Sequence, residues 1–115
     1  MRILLANEPH AYRDVLAAAL QALRPTHEVI RSTPEALEAE VVRCDPQLVL
    51  CSQLTPSVEQ SPRAWVLLYP EGQARVVRSM EGQQTMTADL EFDQLLAFID
   101  QAAGRLTEPA ASRTR

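Results

Sequence analysis

Glu8 and His10 stand two residues apart in the first polar break of the chain, where a carboxylate and an imidazole could share a divalent cation. Two ligands are too few for a structural zinc site, so the pair reads as an ordinary loop. Ser52 follows the apolar run Leu48 to Cys51, and with His10 as base it could serve as a nucleophile. No G-x-S-x-G motif surrounds it and no third residue is placed to orient the imidazole. The expected role of Ser52 is therefore to cap the turn after it through its hydroxyl. Cys44 and Cys51 are the only cysteines, and their spacing matches no zinc or redox motif, so both are expected to be reduced and buried. His27 reads as a surface or packed histidine near the start of a strand.

Other ligand classes are disfavoured on composition. The three glycines, at 72, 82 and 104, make neither a dinucleotide fingerprint nor a phosphate loop, and no cofactor is expected. A net charge of −4 argues against a nucleic acid or an anionic membrane as partner. Few aromatics and no basic cluster leave no stacking platform for single strands. Arg75 and Arg78 read as solvated side chains rather than a phosphate clamp. All eleven basic residues are arginines, so no chemistry that needs an ammonium side chain is open to this chain. No secretory pattern precedes Ile3 and no apolar stretch approaches bilayer length, so a cytoplasmic location is expected.

These residues must be positioned by a small number of elements. A length of 115 residues, 46% of them hydrophobic, suits one domain with one core. Arg2 to Ala6 is an apolar run of the kind found in buried parallel strands, broken by Asn7-Glu8-Pro9. Tyr12, Val15, Leu16, Ala19, Leu20 and Leu23 then fall at helical spacing, up to Pro25. His27 to Arg31 reads as a second strand. Ser32-Thr33-Pro34-Glu35 reads as a helix start, with Leu37, Val41 and Cys44 as the buried stripe of that helix. Leu48 to Cys51 and Ala64 to Tyr69 are further strands, and the two prolines between them argue against a long helix there. Ala74 to Met80 and Gln84 to Leu90 flank Glu81-Gly82-Gln83, which predicts a β-hairpin turning at Gly82. A last helix is expected from Asp93 to Ala103, facing inward through Leu95, Leu96, Ile99 and Ala102 and capped by Gly104. The domain is therefore expected to span residues 1–104, with 105–115 as a flexible tail.

The order of elements is that of a doubly wound parallel unit, and the local text is more specific. Ile3-Leu4-Leu5-Ala6-Asn7-Glu8-Pro9 resembles the first strand and acidic turn of response-regulator receiver domains. Asp45-Pro46-Gln47-Leu48-Val49-Leu50-Cys51-Ser52 resembles their third strand, and Pro56 stands where receivers commonly carry a proline. The resemblance covers residues 2–69 and implies a flavodoxin-like three-layer α/β sandwich. Its mainly parallel sheet would run 2-1-3-4, extended by a C-terminal hairpin in place of the usual fourth helix.

The same resemblance places the receiver acid pair on Ala6 and Asn7, the phospho-accepting position on Ser52, and the hydroxyl position on Tyr69 or Pro70. None of these residues can do its part, and the lysine that would pair with phosphoryl oxygens has no counterpart anywhere. A dianionic phosphoryl group needs metal and ammonium charge to be attacked by another anion. What the resemblance implies is thus a non-enzymatic, phosphorylation-independent pseudo-receiver in bacterial signal transduction or transcriptional regulation. It would act as a homodimer or on another regulator, through an interface drawn from Arg75, Val77, Arg78, Met80, Thr85 and Thr87. The other reading is a small-molecule-binding or enzymatic domain using the pocket at the carboxyl ends of the strands. On the first reading, incubation with acetyl phosphate and Mg²⁺ should leave the intact mass unchanged. A base-labile acyl phosphate on any Asp or Glu would refute it.

Overall fold

The computed structural model describes residues 1–60 and 63–107. Strands β1 (Arg2–Ala6), β3 (Leu48–Cys51) and β4 (Ala64–Leu68) form the centre of a six-stranded sheet of order β2-β1-β3-β4-β5-β6. Strand β2 (Glu28–Arg31) joins β1 in parallel, and β1, β3 and β4 are parallel to one another. Strands β5 (Val76–Met80) and β6 (Gln83–Thr87) are antiparallel to β4 and to each other. The expected α/β sheet, parallel in the order 2-1-3-4 and lengthened by a hairpin, is what the chain forms.

Side chains alternate across each strand, so the central strands feed two separate apolar layers. Ile3, Leu5, Leu48, Leu50, Val66 and Leu68 pack on one face against α1 (His10–Leu23) and α4 (Phe92–Thr107). Leu4, Ala6, Val49, Cys51, Trp65 and Leu67 pack on the other against Leu37 and Val41 of α2 (Leu37–Cys44) and Val58 of the one-turn α3 (Pro56–Glu59). Strand β4 is buried at every position because both layers need it. The described helices include none long and apolar enough to cross a membrane.

Several boundaries differ from the sequence reading. In α1 the buried face is Arg13, Leu16, Ala17 and Leu20, while Val15 and Leu23 are 66% and 49% exposed. The buried face is thus rotated away from Val15 and toward Arg13 and Ala17. The second helix starts at Leu37; before it, the Thr33 hydroxyl accepts the Ala36 N–H at 3.2 Å and closes a turn. The hairpin strands are shorter than expected, and Met80 pairs with Gln83 across a two-residue turn. Glu81 (φ 53°) and Gly82 (φ 82°) both take the left-handed conformation, the pattern that matches strand twist in a tight hairpin.

The last helix corrects two expectations. It begins at Phe92 and continues through Gly104 to Thr107, so Gly104 does not cap it and residues 105–107 belong to the helix. A glycine inside a helix weakens it but does not end it when packing holds the preceding turns. Here those turns are anchored by Leu95, Ile99 and Ala102, together with Phe98, which the sequence reading left out. Residues 108–115, the remainder of the expected tail, lie outside the described residues. Ile99→Ala should therefore lower the unfolding free energy by about 2–5 kcal/mol in urea titrations. Val15→Ala, despite its place in the apolar stripe of the sequence, should shift it by less than about 0.5 kcal/mol.

Candidate functional site

The carboxyl ends of β1, β3 and β4 open on a cleft of about 510 Å³, whose walls include Glu8, Tyr12, Glu35, Ser52, Tyr69 and Glu71. Each wall residue comes from a loop or helix end that succeeds a parallel strand, the usual position of ligand sites in open α/β sheets. Ser52 is 5% exposed, and its Oγ accepts the backbone N–H of Glu8 at 3.1 Å. The hydroxyl thus ties the loop after β3 to the loop after β1 instead of capping its own turn. His10 is turned away: its Nε2 pairs with Asp14 Oδ2 at 3.0 Å on the exposed face of α1. The suggested Ser52–His10 pair is not assembled, and Glu8 and His10 face different depressions. Among the described residues, no three His, Cys, Asp or Glu side chains come together to hold a metal ion.

Ala6 is fully buried in the layer beneath α2 rather than at the cleft. Asn7 is also fully buried, and neither its Oδ1 nor its Nδ2 has a hydrogen-bond partner among the described residues. Its main-chain oxygen accepts Arg13 Nη1 at 3.4 Å, and the same nitrogen lies 3.7 Å from Glu8 Oε2. Arg13 is 7% exposed and was missed by the sequence reading. Its signal was present in the spacing, since residue 13 shares a helical face with Leu16, Ala17 and Leu20. The buried guanidinium braces the loop that carries Glu8, so the Glu8 charge is partly matched from behind the cleft wall.

Tyr69 sits at φ 46°, a left-handed conformation that is strained for an aromatic residue, and Glu71 has φ 55°. The short 3-10 turn Pro70–Gly72 holds both at the cleft. The Tyr69 hydroxyl accepts the Leu90 N–H at 3.2 Å, and its own N–H donates to the Arg75 carbonyl at 2.9 Å. Tyr69 therefore fastens both ends of the hairpin to the end of β4. Burial, with a smaller contribution from Tyr69, raises the pKa of Tyr12 above its usual value and keeps that phenol neutral.

The cysteines lie elsewhere. Both are free and buried; burial pushes the Cys51 thiol up to about 12 and also raises that of Cys44. At neutral pH Cys51 is a protonated thiol within the sheet, with the Val66 carbonyl 3.8 Å from its sulfur.

The hairpin residues singled out from sequence divide between the two faces of the sheet. Val77 faces the α2–α3 side, while Arg78, Met80, Thr85 and Thr87 register on the α4 side, where Met80 packs against the core. Arg78 is half-buried, and its Nε has no partner among the described residues. Arg75 is exposed at the entry to β5. Met86, beside Val77 on the same face, is 66% exposed and was not anticipated as a surface feature.

The class these features define is an open α/β domain with a mostly parallel sheet, a polar cleft at the strand ends and an antiparallel hairpin at one edge. No protein-family model, curated protein or solved structure matches the chain. The unpaired amide of Asn7 carries a testable consequence. Removing a buried polar group that lacks partners is nearly neutral or stabilising. Asn7→Val should thus hold or raise the denaturation midpoint, where a buried position ordinarily loses stability.

Proposed function

We propose that this chain is a receiver-like interaction module of bacterial regulation that works without phosphorylation and pairs with a second copy of itself through β6. The observation that carries this reading is the character of the sheet's outer edge. Strand β6, Gln83-Gln84-Thr85-Met86-Thr87, is exposed along nearly its whole length and contains no charge and no proline. Edge strands are normally guarded by charge, proline or a bulge because their unpaired N–H and C=O groups recruit other strands. The opposite edge has such a guard: β2 carries Glu28 and Arg31, with Arg2 Nε donating to Glu28 Oε1 at 3.1 Å. An antiparallel β6–β6 contact about a twofold axis would satisfy the free backbone groups of both copies. Exposed Met86 would lie beside that contact.

The receiver-like part rests on the strand order and on the text around β1 and β3. The loss of phosphotransfer rests on Ala6, Asn7 and Ser52 and on the absence of lysine. Nothing in the cleft offers an acyl-phosphate acceptor in the place the resemblance requires, so the reading is of a binding protein rather than an enzyme.

Light scattering after size exclusion should give a dimer mass, and Met86→Lys together with Thr85→Lys should convert it to a monomer with unchanged far-UV circular dichroism. The added positive charges would be brought close to those of the second copy across the edge, the device that natural edge strands use against pairing. A monomer for the unaltered chain at high concentration would overturn the self-pairing.

A further inference from the structure

We propose that the cleft at the strand ends is a binding site for a small organic cation, an ammonium group carried on an aromatic or aliphatic body. The site is a half-open cleft of about 510 Å³, a size suited to a small ligand. The chain has only two tyrosines, and both line it. Its other ionisable wall residues are Glu8, Glu35 and Glu71, and no arginine or histidine joins them. Glu8 is partly matched by Arg13, but Glu35 and Glu71 pair with no basic side chain among the described residues. Aromatic faces and carboxylates attract the same kind of ligand: the ring quadrupole and the anionic oxygens both favour positive charge and both repel phosphate or carboxylate.

The apolar half of the ligand is specified separately. Tyr12 also belongs to a second cavity, of about 370 Å³, whose walls include Leu16, Leu68, Leu90, Phe92 and Leu95. Both cavities border Tyr12, one lined with negative charge and the other with hydrocarbon. A ligand with one cationic end and one apolar end fits this arrangement, whereas a bare metal ion or a sugar phosphate does not. Neutral Tyr12 offers its hydroxyl as donor or acceptor at the junction. Tyr69 and Glu71 are displayed by two left-handed residues in a single short turn, so the presentation of ring and carboxylate is set by the backbone. None of the residues lining the cleft belongs to the β6 edge strand.

Two-dimensional amide NMR of the whole chain, titrated with phenethylamine to about 10 mM, tests the site. Saturable shifts are expected at Glu8, Tyr12, Ser52, Gln53, Tyr69, Glu71 and Gly72. The charge-inverted 3-phenylpropionate should leave those amides in place, and tetramethylammonium, which lacks the apolar body, should bind more weakly. Glu35→Gln with Glu71→Gln, both exposed positions, should weaken phenethylamine about tenfold while leaving the rest of the spectrum unchanged. Equal shifts from the amine and the acid would overturn the charge assignment. Absence of saturable shifts with phenethylamine, or preferential binding of acetyl phosphate at the same amides, would overturn the site.

Discussion

Strand β4 is buried on both faces, and its outer edge must be paired for its backbone groups to leave water. The length of the next connection decides how that pairing is made. Only residues 69–75 separate β4 from β5, too few for the helical crossover that a parallel neighbour requires. The next strand must therefore run antiparallel, and β5 and β6 fold back as a hairpin on that edge. This one constraint accounts for the lack of an α-helix between β4 and β5, for an outer strand with one unpaired side, and for α4 packing on the same face as α1. Tyr69 enforces the reversal from both sides, through its N–H to Arg75 and its hydroxyl to the Leu90 N–H.

A second consequence is asymmetry between the layers. The α1–α4 face holds the larger cluster, from Ile3 and Leu20 through Val66 to Ile99. The α2–α3 face is covered by an eight-residue helix and a four-residue turn of helix. At its hairpin end, half-buried Val77 and exposed Met86 are left near the surface. A sheet that gains strands without gaining a helix exposes part of one face, and that region is where self-pairing is proposed.

Polar burial is concentrated at the other end of the sheet. Asn7, Arg13 and Ser52 are all buried around the loop after β1, and two of the three are hydrogen-bonded to its backbone. They hold Glu8 at the rim of the cleft. The polar atoms of that loop brace a wall of the cleft. The carboxylates at that rim are the basis on which a cationic ligand is proposed.

The continuous apolar runs at residues 2–6, 48–51 and 64–68 determined by themselves that the core would be a parallel sheet buried on both faces. The β-favouring residues around Glu81-Gly82 determined the hairpin. Those signals are local, because a fully buried strand must be apolar at every position and a two-residue turn needs left-handed backbone. The rotation of α1 was only half local: the spacing puts residue 13 on the face of Leu16, Ala17 and Leu20, but only Asn7 and Glu8, in the loop after β1, supply the partners of a guanidinium buried there. The run of α4 through Gly104 was decided by packing of Leu95, Phe98 and Ile99 against strands far away in sequence, which outweighs one weak helix former. The cleft itself belongs wholly to the tertiary structure. Tyr12, Glu35 and Glu71 have no shared motif, and only the parallel order of β2, β1 and β4 within one sheet brings the segments after these strands to the same edge.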